Sequence, residues 1–92
     1  ICEECAALSE LLIAKNKDYG DSAFKAPLLA PALDSTSAIL VRIGDKIERL
    51  QKLAFSRRPA VETESFRDTV KDLAGYCVLY LVATKEKQEN AE

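Results

Sequence analysis

An all-α domain is what this sequence predicts: a three-helix bundle-like unit with a long structured loop between helices one and two, packing into a helical homo-oligomer. Three observations carry the fold class. Apolar residues recur at helical spacing in three separate segments. Three Gly and three Pro are few for an all-β chain, which needs many turns. Ninety-two residues leave room for one domain, residues 1–92, and no second. A chain of this length buries only ~60–65% of its unfolded surface, so its stability is modest unless another subunit covers more.

Ile1, Cys5, Leu8 and Leu12 sit at helical spacing, which predicts a first helix over about 1–16. The chain starts at Ile1, already inside that periodicity and without Met, so a natural N-terminal stretch is expected before it. The helix should stop in Asn16-Lys17-Asp18-Tyr19-Gly20-Asp21-Ser22, where Gly and Asn/Asp favour turns. Pro27 and Pro31 then mark a connector reaching Asp34, with one helical turn expected around Ser22–Ala26. Phe24, Leu28, Leu29 and Leu33 are expected to find cover there. A connection this long in so small a domain is commonly functional.

Asp34-Ser35-Thr36-Ser37 offers several N-caps for a second helix over about 35–56, with Ile39, Ile43, Ile47, Leu50 and Ala54 as its core stripe. Thr63 or a neighbour opens a third helix over about 63–88. Glu62, Glu64 and Asp68 lie near its positive end. Phe66, Val70, Leu73, Cys77 and Leu81 are its expected core stripe. From Tyr76 to Ala83 this helix is apolar around its whole circumference, at ~100° per residue. Three helices cannot easily surround that, so a homodimer or larger, with helix three at its centre, is expected.

Composition narrows the function. Thirteen Lys+Arg against fifteen Asp+Glu gives a net charge of −2, without the basic bias of a dedicated nucleic-acid binder, so no direct nucleic-acid binding is expected. The absence of His excludes His-dependent triads, imidazole bases and His-ligated zinc. The run Tyr76–Ala83 is far too short to span a membrane, and three Cys make no even disulfide framework, so a cytoplasmic setting is expected. Cys2-Glu3-Glu4-Cys5 has CxxC spacing but no second pair to complete four zinc ligands, so ordinary thiols are the better reading.

Two charged constellations remain. On helix three, Glu64, Asp68 and Asp72 recur every four residues and stack carboxylates on one face. Like charges at that spacing are mildly destabilising in an isolated helix, so propensity does not explain them. Hard cations such as Mg²⁺ take one or two carboxylates together with substrate phosphates, which makes Asp68 and Asp72 metal candidates. Glu64 is better read as a solvated residue favoured by the helix dipole. On helix two, Arg42, Asp45, Lys46 and Arg49 set three cations around one anion. Either they pair within the helix, or this basic face meets the acidic face of helix three and leaves cations for phosphates.

Three blocks then form a recognisable series: Lys15-Asn16-Lys17-Asp18-Tyr19-Gly20-Asp21-Ser22, Arg42-Ile43-Gly44-Asp45-Lys46-Ile47-Glu48-Arg49-Leu50, and the stretch from Glu64 to Tyr76. In this order they resemble the first nucleotide modification associated domain family of phages and bacteria. That resemblance implies a phage or prophage cytoplasmic protein handling nucleotides. More loosely, Asp72-Leu73-Ala74-Gly75 and the acidic helices are similar to the all-α nucleoside triphosphate pyrophosphohydrolases, the MazG and all-α dUTPase group. Those enzymes hold Mg²⁺ on paired acidic motifs and assemble as dimers or tetramers. Here Gly75 stands where that group carries a metal-binding Asp, so Asp68 and Asp72 would provide a shifted site.

The favoured expectation is Mg²⁺-dependent cleavage of a nucleoside triphosphate. Asp45, Asp68 and Asp72 would be catalytic, with Asp68 and Asp72 on the metal. Lys15, Asn16, Asp18, Tyr19, Arg42, Lys46 and Arg49 would bind nucleotide. A non-catalytic nucleotide-binding module and a structural helical oligomer with paired polar faces are the alternatives.

Overall fold

The computed structural model is helical throughout its regular structure and describes residues 1–18, 22–30, 32–56 and 63–91. Three α-helices follow one another: α1 (Cys2–Asp18), α2 (Ser35–Ala54) and α3 (Glu64–Ala91). A single 3₁₀ turn at Ser22–Phe24 stands where the sequence places one helical turn. No strand occurs among the described residues.

The capping chemistry sets the starts of α2 and α3. Asp34 has extended backbone angles, and its Oδ1 accepts the Ser37 N–H at 2.7 Å, so one orphan donor of the first turn is satisfied. Thr63 does the same for α3, accepting the Phe66 N–H on Oγ1 at 3.3 Å. At the other end of α2, the Phe55 N–H returns to the Gln51 carbonyl and the Ser56 hydroxyl donates to the Leu53 carbonyl.

Packing is concentrated between α2 and α3, while α1 touches α3 sparsely. Ile39 on α2 is the large side chain that the seam buries fully, at 2% exposure. From α3 come Thr69 and Ala83, both small. Small residues let two helix backbones approach closely, and that selects the face of α3 that meets α2. The expected stripe was one of large apolar residues, and the structure corrects it: Val70, Cys77 and Leu81 are exposed, while the buried face runs through Thr69 and Ala83. Leu28 and Leu29 in the connector, expected under cover, are also fully exposed. Ile47 on α2 is nearly half exposed.

Thr69 is the buried polar group of this seam, and it is satisfied twice. Its hydroxyl donates to the Ser65 carbonyl at 2.8 Å and accepts from Arg49 Nε at 3.2 Å across the helix pair. The molecule is elongated: its radius of gyration is 15.0 Å and its extents are 48 × 32 × 26 Å. A compact chain of this length has a radius of ~12 Å.

One stability prediction follows from α2. Gly44 sits mid-helix, is exposed, and a Cβ added there would meet nothing within 4 Å. Gly44→Ala should therefore stabilise the chain by ~0.5–1 kcal/mol through helix propensity alone. Thermal melts followed by circular dichroism should show a midpoint several degrees higher; a lower midpoint would mean that Gly44 faces something outside the monomer.

Candidate functional site

A cavity of ≈360 Å³ opens where α1, the connector, α2 and α3 come together. Its floor is apolar, built from Leu8 and Leu12 of α1, Ile39 of α2 and Leu79 of α3. Gly75 lies in the wall, and a Cβ there would stand 3.1 Å from Leu12 Cδ2. The missing side chain is what lets α1 lie against α3. The volume falls within the ~300–1,000 Å³ range of small-molecule sites.

Charge gathers at the rim. Lys15 from α1, Lys25 from the connector, Arg42 from α2 and Lys71 from α3 line the cavity with Asp72 as the one carboxylate among its described lining residues. The first four are exposed, so their heads remain hydrated. Arg42 also stands over the Tyr76 ring, 5.9 Å from its centroid, at the outer limit of a cation–π contact. Tyr76 itself lines the cavity. The arrangement can hold a small polyanion that carries a flat apolar part.

Of the expected meeting between a basic α2 face and an acidic α3 face, one ion pair occurs among the described residues, and the other two cations meet neutral side chains. Lys46 pairs with Asp72 at 3.4 Å, Arg49 bonds Thr69, and Arg42 covers Tyr76. Intrahelical pairing of Asp45 with Arg42 or Arg49 does not occur among the described residues; the pair within α2 is Lys52–Glu48.

Of the residues the sequence nominated, the cavity gathers Lys15, Asn16, Arg42 and Asp72. Lys46 reaches the cavity through its ion pair with Asp72, and Arg49 is occupied at the α2–α3 seam. Asp45 and Asp68 are exposed and are not among the cavity's described lining residues. Tyr19 and the side chain of Asp18 lie outside the described residues. Lys25 escaped the sequence reading because an isolated Lys in an irregular connector has no periodicity to place it.

Mg²⁺ held by Asp68 and Asp72 requires those carboxylates to converge. Among the described residues no three acidic or Cys groups come together, and Asp68 lies off the cavity. Asp72, the carboxylate among the cavity's described lining residues, faces Lys46, and Asn16 lines the same cavity. One carboxylate together with substrate phosphates is within what such an ion uses.

The Lys46–Asp72 pair is partly exposed, at 28% and 41% for the two side chains. Water screens it, and pairs of this kind are worth ~0–1 kcal/mol. Asp72→Asn should lower stability by less than ~1 kcal/mol in urea titrations. A loss of ~3 kcal/mol would instead mark a dry, tightly held pair.

No family model, curated protein or solved structure matches this sequence. Among the described residues, no helix is long and apolar enough to cross a membrane.

Proposed function

We propose that this chain binds a nucleotide in the cavity between its helices, as a binding module. The observation that supports this most is the cavity itself: an apolar floor with four cations and one carboxylate around it, and an aromatic ring in the wall. Phosphates would lie toward Lys15, Lys25, Arg42 and Lys71, where charge-assisted hydrogen bonds are strongest. A base would take the apolar side, near Tyr76. The three sequence blocks that resemble the first nucleotide modification associated domain favour the same ligand class, and a phage or prophage cytoplasmic role belongs with that reading.

Cleavage of the triphosphate is the second reading, favoured by the placement of Asp72 inside the cavity. It would need Mg²⁺ carried in on the phosphates, with Asp72 as its protein ligand. In that case the metal would polarise the phosphate while Arg42 and Lys71 offset developing charge. Asp45 and Asp68 would act only if a further element brought them to the site.

Isothermal titration with a panel of nucleoside mono-, di- and triphosphates, and with inorganic triphosphate, tests both. A nucleoside triphosphate should bind more tightly than inorganic triphosphate. Arg42→Ala should weaken it ~10–100-fold, the usual worth of a hydrogen bond to a charged group, while helicity is unchanged. Equal binding of inorganic triphosphate would remove the nucleotide from the reading. Release of pyrophosphate that depends on Asp72 would replace the binding module by the hydrolase.

A further inference from the structure

We propose that Asp72 is the residue that distinguishes a nucleotide from a bare phosphate chain, by accepting a hydrogen bond from a sugar hydroxyl or a base N–H of the ligand. The inference rests on the nucleotide-binding reading and gives Asp72 a role that does not pass through a metal.

Its company in the cavity carries the argument. Asp72 shares the lining with Lys15, Lys25, Arg42 and Lys71. A carboxylate only accepts hydrogen bonds, and the ionised oxygens of a polyphosphate also only accept. Between the two there is repulsion and no bond, so toward phosphates alone Asp72 is a cost. It becomes favourable when the ligand brings a donor. In a nucleotide the donors are on the sugar and along the base edge, and the inorganic triphosphate anion has none.

The helix sets Asp72 beside the part of the ligand that carries them. Asp72 and Tyr76 both line the cavity and lie four residues apart on α3, so their Cβ atoms are ~5–6 Å apart on one face. A base against the Tyr76 ring therefore brings its edge, or the sugar attached to it, within reach of the carboxylate. α2 braces both groups: Arg42 stands over the ring at 5.9 Å, and Lys46 pairs with Asp72 Oδ2 at 3.4 Å. The Asp72 side chain is still 41% exposed, which leaves it open to a ligand. That exposure also sets the size of the effect. A dry site built around a substrate hydroxyl rejects the analogue lacking it by ~10⁴–10⁵, because its polar groups are stranded. Water satisfies Asp72 when no donor arrives, so the preference it supplies is ~10-fold.

Isothermal titration of the whole chain in EDTA compares inorganic triphosphate with the ribo, 2′-deoxy and 2′,3′-dideoxy forms of the common nucleoside triphosphates. Asp72→Asn keeps the size of the side chain and removes its charge. Relief of repulsion acts on the phosphates of every ligand and cancels in the ratio of nucleotide to inorganic triphosphate affinity, which isolates the contact to the nucleoside. Inorganic triphosphate should bind ~2–10-fold more tightly to the variant. The ratio should fall ~10-fold. Glu64→Gln, which removes a charge from the exposed start of α3 away from the cavity, should leave the ratio unchanged. A fall confined to ligands that keep a sugar hydroxyl supports the proposal with the sugar as donor. An equal fall for all three forms supports it with the base as donor. A ratio that stays put in Asp72→Asn, or moves only when Mg²⁺ replaces EDTA, overturns the proposal and leaves nucleotide binding standing. An unaltered chain that binds no nucleoside triphosphate overturns the nucleotide reading itself, and this proposal with it.

Discussion

Ile39→Ala should cost ~2–5 kcal/mol, the range for truncating a fully buried Leu or Ile to Ala. Ile39 is the large side chain that the described part of the chain buries completely, so its removal leaves a hole where α2 and α3 meet. The hole would enlarge the cavity that Ile39 already lines together with Leu8, Leu12 and Leu79. Domains of this size hold ~5–14 kcal/mol in total. A loss of this size moves the thermal midpoint by ~10 °C or more, since each kcal/mol is worth ~4–8 °C at this length. Ile39 also floors the cavity, so ligand binding should weaken in the same variant. A loss under ~1 kcal/mol in a denaturant titration would show that the stability of the chain resides elsewhere than the α2–α3 seam.

Gly75→Leu should separate α1 from the rest of the molecule. A Cβ alone would come within 3.1 Å of Leu12 Cδ2, and the remaining atoms of a leucine would project into the space that α1 and the cavity now share. Overpacking of this kind costs ~1–3 kcal/mol when the surroundings resist it. Here one part of the surroundings can yield. α1 touches α3 sparsely, and the ion pair that joins them among the described residues, Glu4–Arg67, is solvent-exposed. The expected result is displacement of α1 with α2 and α3 still paired. Nucleotide titration should then detect no binding, while Ile39 and Thr69 keep the protected amides of the α2–α3 seam. Gly75→Ala provides the graded control: it adds only the Cβ and gains helix propensity of up to ~1 kcal/mol, so Leu12 need shift only slightly. Full nucleotide affinity in Gly75→Leu would mean that the cavity is not where the ligand sits.

The three helices were legible because each signal for them is local. Asp34, one of four candidate caps for α2, and Thr63, a candidate for α3, have the right chemistry at the right offset and accept first-turn N–H groups. The face of α3 was not legible in the same way. From Tyr76 to Ala83 nearly every side chain is apolar, so hydrophobicity assigns no direction, and the choice falls to residue size. Thr69, Gly75 and Ala83 look unremarkable beside Val70, Cys77 and Leu81, yet close approach of backbones favours the small ones. The cavity was half legible for a related reason. Arg42 and Asp72 lie on helices whose register relates them to a core stripe, whereas Lys25 lies in a connector whose path only tertiary structure fixes. Arg49 has a seam role because Thr69, a modest polar residue amid apolar ones, needs a donor once buried.

The helix that walls the cavity is also the one least tied to the body of the molecule. Leu8 and Leu12 of α1 line both the cavity and a second, apolar groove between α1 and α3, so α1 is a partition one helix thick. Sparse contacts set a low free energy for detaching such an element without unfolding the remainder. Amide hydrogens of α1 should therefore exchange with solvent well before those of α2 and the adjoining half of α3. A bound molecule would leave when the partition lifts, at a rate set by that local opening.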